Sequence, residues 1–347
     1  MRVANPYNLM FGVEPPQAIS RTSQMNEVIE SFEAELPTQQ IYMITGVRGS
    51  GKTVFMTEIS RELSKEKDWI IVDLNSSQNL MEDLASCLAS ENKLALTFKS
   101  AGINLSLFGI GLEVKGTVPI SSIQVALTKM LETLKKQKKR VLVCIDEVSV
   151  TEHMKAFAGA YQIFVRHELP VFLLMTGLYA NINNLRNEKN LTFLYRAPRI
   201  ALKPLNITNI ALNYKRILNT DDEKSSAMAR LTRGYPFAFQ VLGHFMWKYK
   251  GDYEQAVEDA RTYLDEYVYE KIWSEISEKD KEFLYALARS KDGKAKAIKE
   301  SGGFTNEDYG VYRDRLIKHG IINGDTYGYV KFALPMFEDY VTSNFDK

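Results

Sequence analysis

Cysteine, histidine and unbalanced charge are all scarce in this chain. Its 347 residues include two cysteines and four histidines. Cys87 and Cys144 are far apart, so they offer neither a disulfide framework nor a zinc-ligand spacing. Cys87 falls in a predicted helix and Cys144 in an apolar strand, and both are expected to be buried as small apolar side chains. His153, His167, His244 and His319 are scattered, which argues against a zinc site. Lysine and arginine number 44 against 43 aspartates and glutamates, a formal net charge of +1. A globally basic surface for nucleic acid is therefore missing, although a local patch is not excluded. No run of about eighteen apolar residues occurs, so no membrane contact is expected. Met1-Arg2-Val3-Ala4-Asn5-Pro6 carries no apolar signal core, which makes the cytoplasm the expected location. Internal repeats and low-complexity stretches are absent as well. Lys135-Lys136-Gln137-Lys138-Lys139-Arg140 is the one strong charge run, at a helix C-terminus where cations complement the dipole.

What is present is more specific. Residues 46–53 read Gly46-Val47-Arg48-Gly49-Ser50-Gly51-Lys52-Thr53, a complete G-x-x-x-x-G-K-[ST] motif. A mostly apolar strand, Gln40-Ile41-Tyr42-Met43-Ile44-Thr45, precedes it, and apolar residues at helical spacing follow from Val54 to Leu63. A glycine-rich turn between strand and helix aims consecutive backbone N–H groups and the positive helix end at one point, which suits phosphate. The glycines let the loop wind tightly with no Cβ in the way. Lys52 is placed to reach the β- and γ-phosphates, and the Thr53 hydroxyl to bind Mg²⁺. Four constrained positions recur by chance in about one chain in a hundred of this length. The motif therefore predicts a bound nucleoside triphosphate.

Periodicity organises the remainder. A helix is predicted over 23–35, and strands over 69–74, 140–146, 171–176 and 199–202 alternate with helices over 79–91 and 121–137. Strands alternating with helices imply a doubly wound parallel α/β sheet. Residues 98–117, with Gly102, Gly109, Gly111 and Gly116 among alternating apolar residues, read as an inserted β-hairpin. After Pro204 the pattern turns helical, over 206–218, 224–233, 235–250 and 254–273, as in a small helical lid. From about Ser277 three short helices lead into a glycine-punctuated strand pair. The expected domains are 1–204, 205–275 and 276–347.

A phosphate loop needs a second acidic site for Mg²⁺ and, for hydrolysis, a group that orients water. Ile145-Asp146-Glu147 ends a continuous apolar strand, about ninety residues after the loop. Asp146 is the expected metal ligand together with Thr53, and Glu147 the residue that polarises the attacking water.

Further segments join these motifs: Asn5-Pro6-Tyr7 with Phe11-Gly12-Val13-Glu14-Pro15-Pro16 and Arg21, Thr176-Gly177, the stretch from Phe193 to Leu205, and Gly234-Tyr235-Pro236. Together they resemble AAA-type P-loop ATPases, especially the origin-recognition-like and STAND-like groups of bacteria and archaea. The resemblance implies that ATP or ADP with Mg²⁺ contacts Gly46, Val47, Arg48, Gly49, Ser50, Gly51, Lys52, Thr53 and Val54. It implies that Arg21 helps enclose the adenine, although Ser20 stands where that family has glycine. Thr176 matches the polar sensor of the γ-phosphate; on the residues alone it is equally a strand-end turn. Arg196 matches an arginine that acts on a neighbouring subunit's nucleotide, and Pro236 the proline that starts a lid helix beside the nucleotide. The lid arginine of many such proteins is missing, and Arg233 is adjacent to the motif but off it. That favours a slow switch over a fast motor.

The resemblance extends to a C-terminal winged helix, with Tyr312-Arg313-Asp314-Arg315-Leu316 on its third helix and residues 320–334 as the wing. Such helices enter the DNA major groove or serve as protein contacts. The near-balance of charge over 277–347 leaves both open. The chain thus reads as a Mg²⁺-dependent ATP-binding protein and slow ATPase whose nucleotide state acts on a partner: double-stranded DNA, another protein or further copies of itself. The alternative is a nucleotide-gated regulatory or DNA-binding module with little turnover.

Overall fold

A computed structural model describes residues 4–10, 12–290 and 292–345. Met1 to Val3 and Phe11, quoted above from the N-terminal segment, lie outside the described residues. Two compact units emerge. One comprises the described residues of 1–20, 46–54 and 202–347, the other those of 21–45 and 55–201.

The second unit is the sheet unit. Strands β1 (Ile41–Thr45), β2 (Trp69–Asn75), β3 (Arg140–Asp146), β4 (Val171–Gly177) and β5 (Arg199–Ala201) are all parallel, in the order β2-β3-β4-β1-β5. Continuous apolar runs such as Val141 to Ile145 and Val171 to Met175 are buried throughout, because a parallel sheet is covered on both faces. Its helices are α1 (Thr22–Glu33), most of α2 (Lys52–Leu63), α3 (Leu80–Ser90), α4 (Asn92–Ser100), α5 (Ile123–Lys136), α6 (Glu152–Arg166) and α7 (Tyr179–Arg186). Phe32, Tyr42, Trp69 and Phe172 form an aromatic cluster, with successive ring centroids 4.9–6.4 Å apart.

Two expectations fail here. Residues 98–117 are no hairpin: they finish α4 and then form an irregular loop with one 3-10 turn, Ser106–Phe108. The loop is organised around the buried Asn104 amide. Its Nδ2 donates to the carbonyls of Val114 and Thr117, and its Oδ1 accepts from the N–H and hydroxyl of Ser106. Ile103, Leu105 and Leu112 are buried, so the alternation is real, but it serves loop packing and not a strand ladder. Cys144 is buried as expected, whereas Cys87 lies on an exposed face of α3.

The other unit holds the phosphate loop and the C-terminal helices. These are α8 (Ile207–Leu218), α9 (Asp222–Leu231), α10 (Pro236–Lys248), α11 (Tyr253–Leu264), a π turn (Asp265–Tyr269), α12 (Glu270–Glu275), α13 (Glu278–Arg289), α14 (Ala295–Gly302), α15 (Asn306–Lys318) and α16 (Phe337–Asn344). A two-stranded antiparallel sheet, β6 (Ile322–Asn323) with β7 (Lys331–Phe332), lies between α15 and α16. The N-terminal strap is tied into this unit. Tyr7 is buried against Tyr214 and Phe239, and its hydroxyl donates to Asn213 Oδ1 at 2.9 Å. Gly243 on α10 admits that ring, since a Cβ there would lie 2.5 Å from it. Among the described residues no helix is long and apolar enough to cross a membrane.

Candidate functional site

The phosphate loop leaves β1 after Thr45 and enters α2 at Lys52. Gly49 (φ +69°) and Gly51 (φ +83°) take the left-handed conformation that a side chain opposes. The Ser50 N–H donates to the Val47 carbonyl at 3.2 Å, which tightens the turn. Lys52 is only 8% exposed, and its Nζ donates to the Gly46 and Val47 carbonyls at 3.2 Å each. The ammonium is thus held over the loop by the loop's own backbone. This donor set, glycine amides with a buried lysine at a helix start, fits the phosphates of a nucleotide.

Three contacts join the loop to the helices of its own unit. The Tyr235 hydroxyl donates to the Arg48 carbonyl at 2.5 Å, and the Phe237 N–H to the Gly49 carbonyl at 3.2 Å. The Arg48 guanidinium makes a two-pronged pair with Glu275, at 2.5 and 3.1 Å. Burial alone would raise the Glu275 carboxyl, but the hydrogen bond and charge of Arg48 outweigh it and hold that carboxyl below the ordinary range. Tyr235 and Pro236 stand where the sequence placed the lid motif. Pro236 opens α10, and Gly234 (φ +75°) is required, because a Cβ there would lie 2.5 Å from the Leu205 carbonyl oxygen. Arg233 donates to the carbonyls of Phe332 and Leu334, at 2.7 and 3.1 Å.

In the sheet unit, Asp146 ends β3, and Thr176 lies fully buried near the end of β4. The Thr176 hydroxyl donates to Asp146 Oδ1, which also accepts the Glu147 N–H at 3.0 Å. Glu147 is exposed and in the left-handed region, at φ +49°. The Val148 N–H bonds the Thr176 carbonyl at 2.9 Å, which clamps the turn to β4. Sequence reading placed Thr176 near the nucleotide; here its hydroxyl donates to Asp146 and accepts the Glu147 N–H at 3.2 Å. Among the described residues no group of three or more His, Cys, Asp or Glu could hold a metal ion. One carboxylate with a threonine hydroxyl, phosphates and waters suits Mg²⁺, which is seldom caged by protein alone. Arg21 sits at the N-cap position of α1. Burial lowers its guanidinium to about 10, and the charge of Glu58 opposes that fall. Arg196 is exposed at the end of a 3-10 turn, Thr192–Arg196.

The C-terminal arginines are engaged. Arg315 donates from Nε to the buried Asp280 at 2.9 Å and from Nη2 to the Ser277 hydroxyl at 3.0 Å. Arg313 bonds Asp314 at 2.9 Å and the Gly324 carbonyl at 3.0 Å. The exposed face of α15 carries Glu307, Val311, Asp314 and Lys318. Sequence reading passed over Glu275, since a lone glutamate at a helix end carries no motif.

Residues 19–166 match the family model described as an ATPase domain predominantly from Archaea, and 266–341 match a domain of unknown function. No curated protein matches. Among solved structures, the chain is similar to the Walker-type ATPase PABY2304 of Pyrococcus abyssi at 16% identity and a TM-score of 0.68. That match covers 96% of this chain and 99% of that one. It is also similar to the ORC2 protein of Aeropyrum pernix in its ADPNP–ADP complexes, at 13% identity and a TM-score of 0.60, over 97% and 96% of the two chains. The fold is therefore the parallel α/β P-loop fold that these structures share.

Proposed function

We propose that this protein is a slow, Mg²⁺-dependent ATPase whose nucleotide state alters how its C-terminal helices meet a partner. The observation that carries the reading is the complete phosphate loop, with its lysine buried over the loop backbone, and later in the chain an acid pair at the end of a buried strand. In this reading the amides of residues 46–53 and Lys52 bind the triphosphate, with Val54 and Pro236 beside it and Arg21 toward the adenine. Thr53 and Asp146 hold Mg²⁺, which when bound shields the phosphate charge. Thr176 fixes the rotamer of Asp146, and Glu147 accepts a hydrogen bond from water and turns its lone pair toward phosphorus. Arg196, exposed at its turn, is the residue offered to a neighbouring copy.

Lys52→Ala should abolish tight binding of a labelled ATP analogue, since it removes the cation at the loop; unchanged affinity in a folded variant overturns the proposal. Glu147→Gln should leave binding intact and slow single-turnover hydrolysis at least a hundredfold, within the ~10²–10⁴ range of acid–base catalysis. Hydrolysis at the wild-type rate would remove Glu147 from the mechanism.

For the C-terminal module, a winged-helix-like unit, the reading favoured is protein contact over duplex DNA. Arg313 and Arg315 are engaged within the module, and the exposed face of α15 carries acidic residues that phosphate would repel. Fluorescence anisotropy with random duplex at low salt, with and without ATP, decides this. Salt-sensitive binding in either state would restore the DNA reading.

A further inference from the structure

The phosphate loop carries an orientation problem that its own sequence does not solve. A cradle works only if its amides point at the ligand, yet a glycine-rich loop has many accessible φ/ψ states. In a trans peptide the carbonyl of one residue and the N–H of the next point in opposite directions. Fixing a carbonyl on one side therefore aims the following N–H to the other.

Two loop carbonyls are fixed in this way. The Arg48 carbonyl accepts the Tyr235 hydroxyl at 2.5 Å, and the Gly49 carbonyl accepts the Phe237 N–H at 3.2 Å. The N–H groups of Gly49 and Ser50 are turned away from α10 in consequence, and that of Ser50 meets the Val47 carbonyl inside the turn. Burial keeps the Tyr235 phenol protonated far above its ordinary range, so it remains a donor at any working pH. The glycine at 49 answers to this contact as well as to phosphate: a Cβ there would stand 2.2 Å from the Tyr235 hydroxyl and 2.9 Å from Phe237 Cβ. Glu275, with Lys271 at 3.5 Å behind it, grips the Arg48 side chain and steadies the same residue from a second direction.

We propose that Tyr235 and Glu275 are positioning residues for the phosphate loop, orienting its peptide planes so that the Gly49 amide faces phosphate while the Ser50 amide stays on the Val47 carbonyl and holds the turn. The inference rests on reading residues 46–53 as the nucleotide site. It assigns phosphate affinity partly to side chains that act through the loop backbone.

Tyr235→Phe removes one hydroxyl and keeps the ring. Glu275→Gln keeps the shape and removes the charge. Affinities for tripolyphosphate, ADP and adenosine are measured by displacement of a fluorescent ATP analogue, and each variant's melting temperature is checked. Tyr235→Phe should weaken tripolyphosphate and ADP about tenfold, the size of a lost buried hydrogen bond, and leave adenosine unchanged. Glu275→Gln should act in the same direction, about threefold, as befits a half-exposed pair. Unchanged tripolyphosphate affinity in both variants overturns the proposal, and so does an equal loss for adenosine, which would mark a general structural role. Lys52→Ala separates the two failures. If it too binds like wild type, the nucleotide reading falls. If it alone loses binding, only the positioning role falls.

Discussion

Thr176 and Asp146 illustrate how one buried hydroxyl can set the chemistry of a carboxylate. The hydroxyl is fully buried and its donor is spent on Asp146 Oδ1, which fixes that oxygen. Thr176→Val replaces the hydroxyl by a methyl of nearly the same size and removes one of the donors to Asp146 Oδ1, leaving the Glu147 N–H. The expected cost is about 1–3 kcal/mol of stability, the range for a broken buried hydrogen bond. A rise in the Mg²⁺ concentration needed for half-maximal hydrolysis should accompany it, because Asp146 is then held in its rotamer by one donor fewer. Thermal unfolding and a Mg²⁺ titration measure the two effects. A normal titration in a destabilised variant would make Thr176 a strand-end residue and nothing more.

Between α11 and α12 the helical repeat widens into the π turn Asp265–Tyr269. Such turns are uncommon and frequently lie at functional positions. Here Asp265 Oδ1 is buried with no hydrogen-bond partner among the described residues. Burial raises the carboxyl to about 6; Arg261 pulls it down and Asp339 pushes it back up. The folded state therefore binds a proton at higher pH than the unfolded chain does, and this group's contribution is least unfavourable in acid. Stability from Asp265 falls as pH rises from the ordinary aspartate range through about 6. Asp265→Asn should thus stabilise the protein at pH 7.5 by about 1 kcal/mol, a figure already discounted for partial exposure. The gain should vanish near pH 4. Melting temperatures of both proteins across that range test it, and a gain that persists in acid would assign the effect to packing. The following helices show the opposite economy: Ser277 and Asp280 form a capping box at the start of α13, and Arg315 closes it from α15.

At the scale of the whole molecule, ligand binding and folding are linked. A nucleotide that binds the folded chain alone raises its stability by about 2.7 kcal/mol at a hundredfold excess over the dissociation constant. MgATP and MgADP should each raise the melting temperature, adenosine should do so little, and Lys52→Ala should show no shift with any of them. A shift with ATP that survives in Lys52→Ala would place the nucleotide elsewhere. The strap of residues 5–7 is packed into the C-terminal helices. Asn5 reaches the His244 carbonyl at 3.0 Å and Tyr7 fills the gap at Gly243, so the N-terminal residues are part of the C-terminal core.

The sequence by itself determined the parallel sheet, the phosphate loop and the acid pair. These are local patterns: apolar runs long enough to be buried on both faces, and a loop motif whose glycines and lysine must stand at fixed offsets. It also located the helix start at Gly234-Tyr235-Pro236, because a proline that opens a helix after a left-handed glycine is written in adjacent residues. Tertiary structure alone decided the rest. Loop 98–117 alternates like a strand, but the buried Asn104 amide satisfies the backbone that a ladder would have used. Cys87 sits on a helix as read, yet which face of α3 meets the core depends on what packs there. Arg313 and Arg315 look free in the sequence and are held by Gly324 and Asp280 in the fold. The Arg48–Glu275 pair spans more than two hundred residues of chain. No local period encodes such a contact, since it exists only once the helices have packed and brought the two charges together.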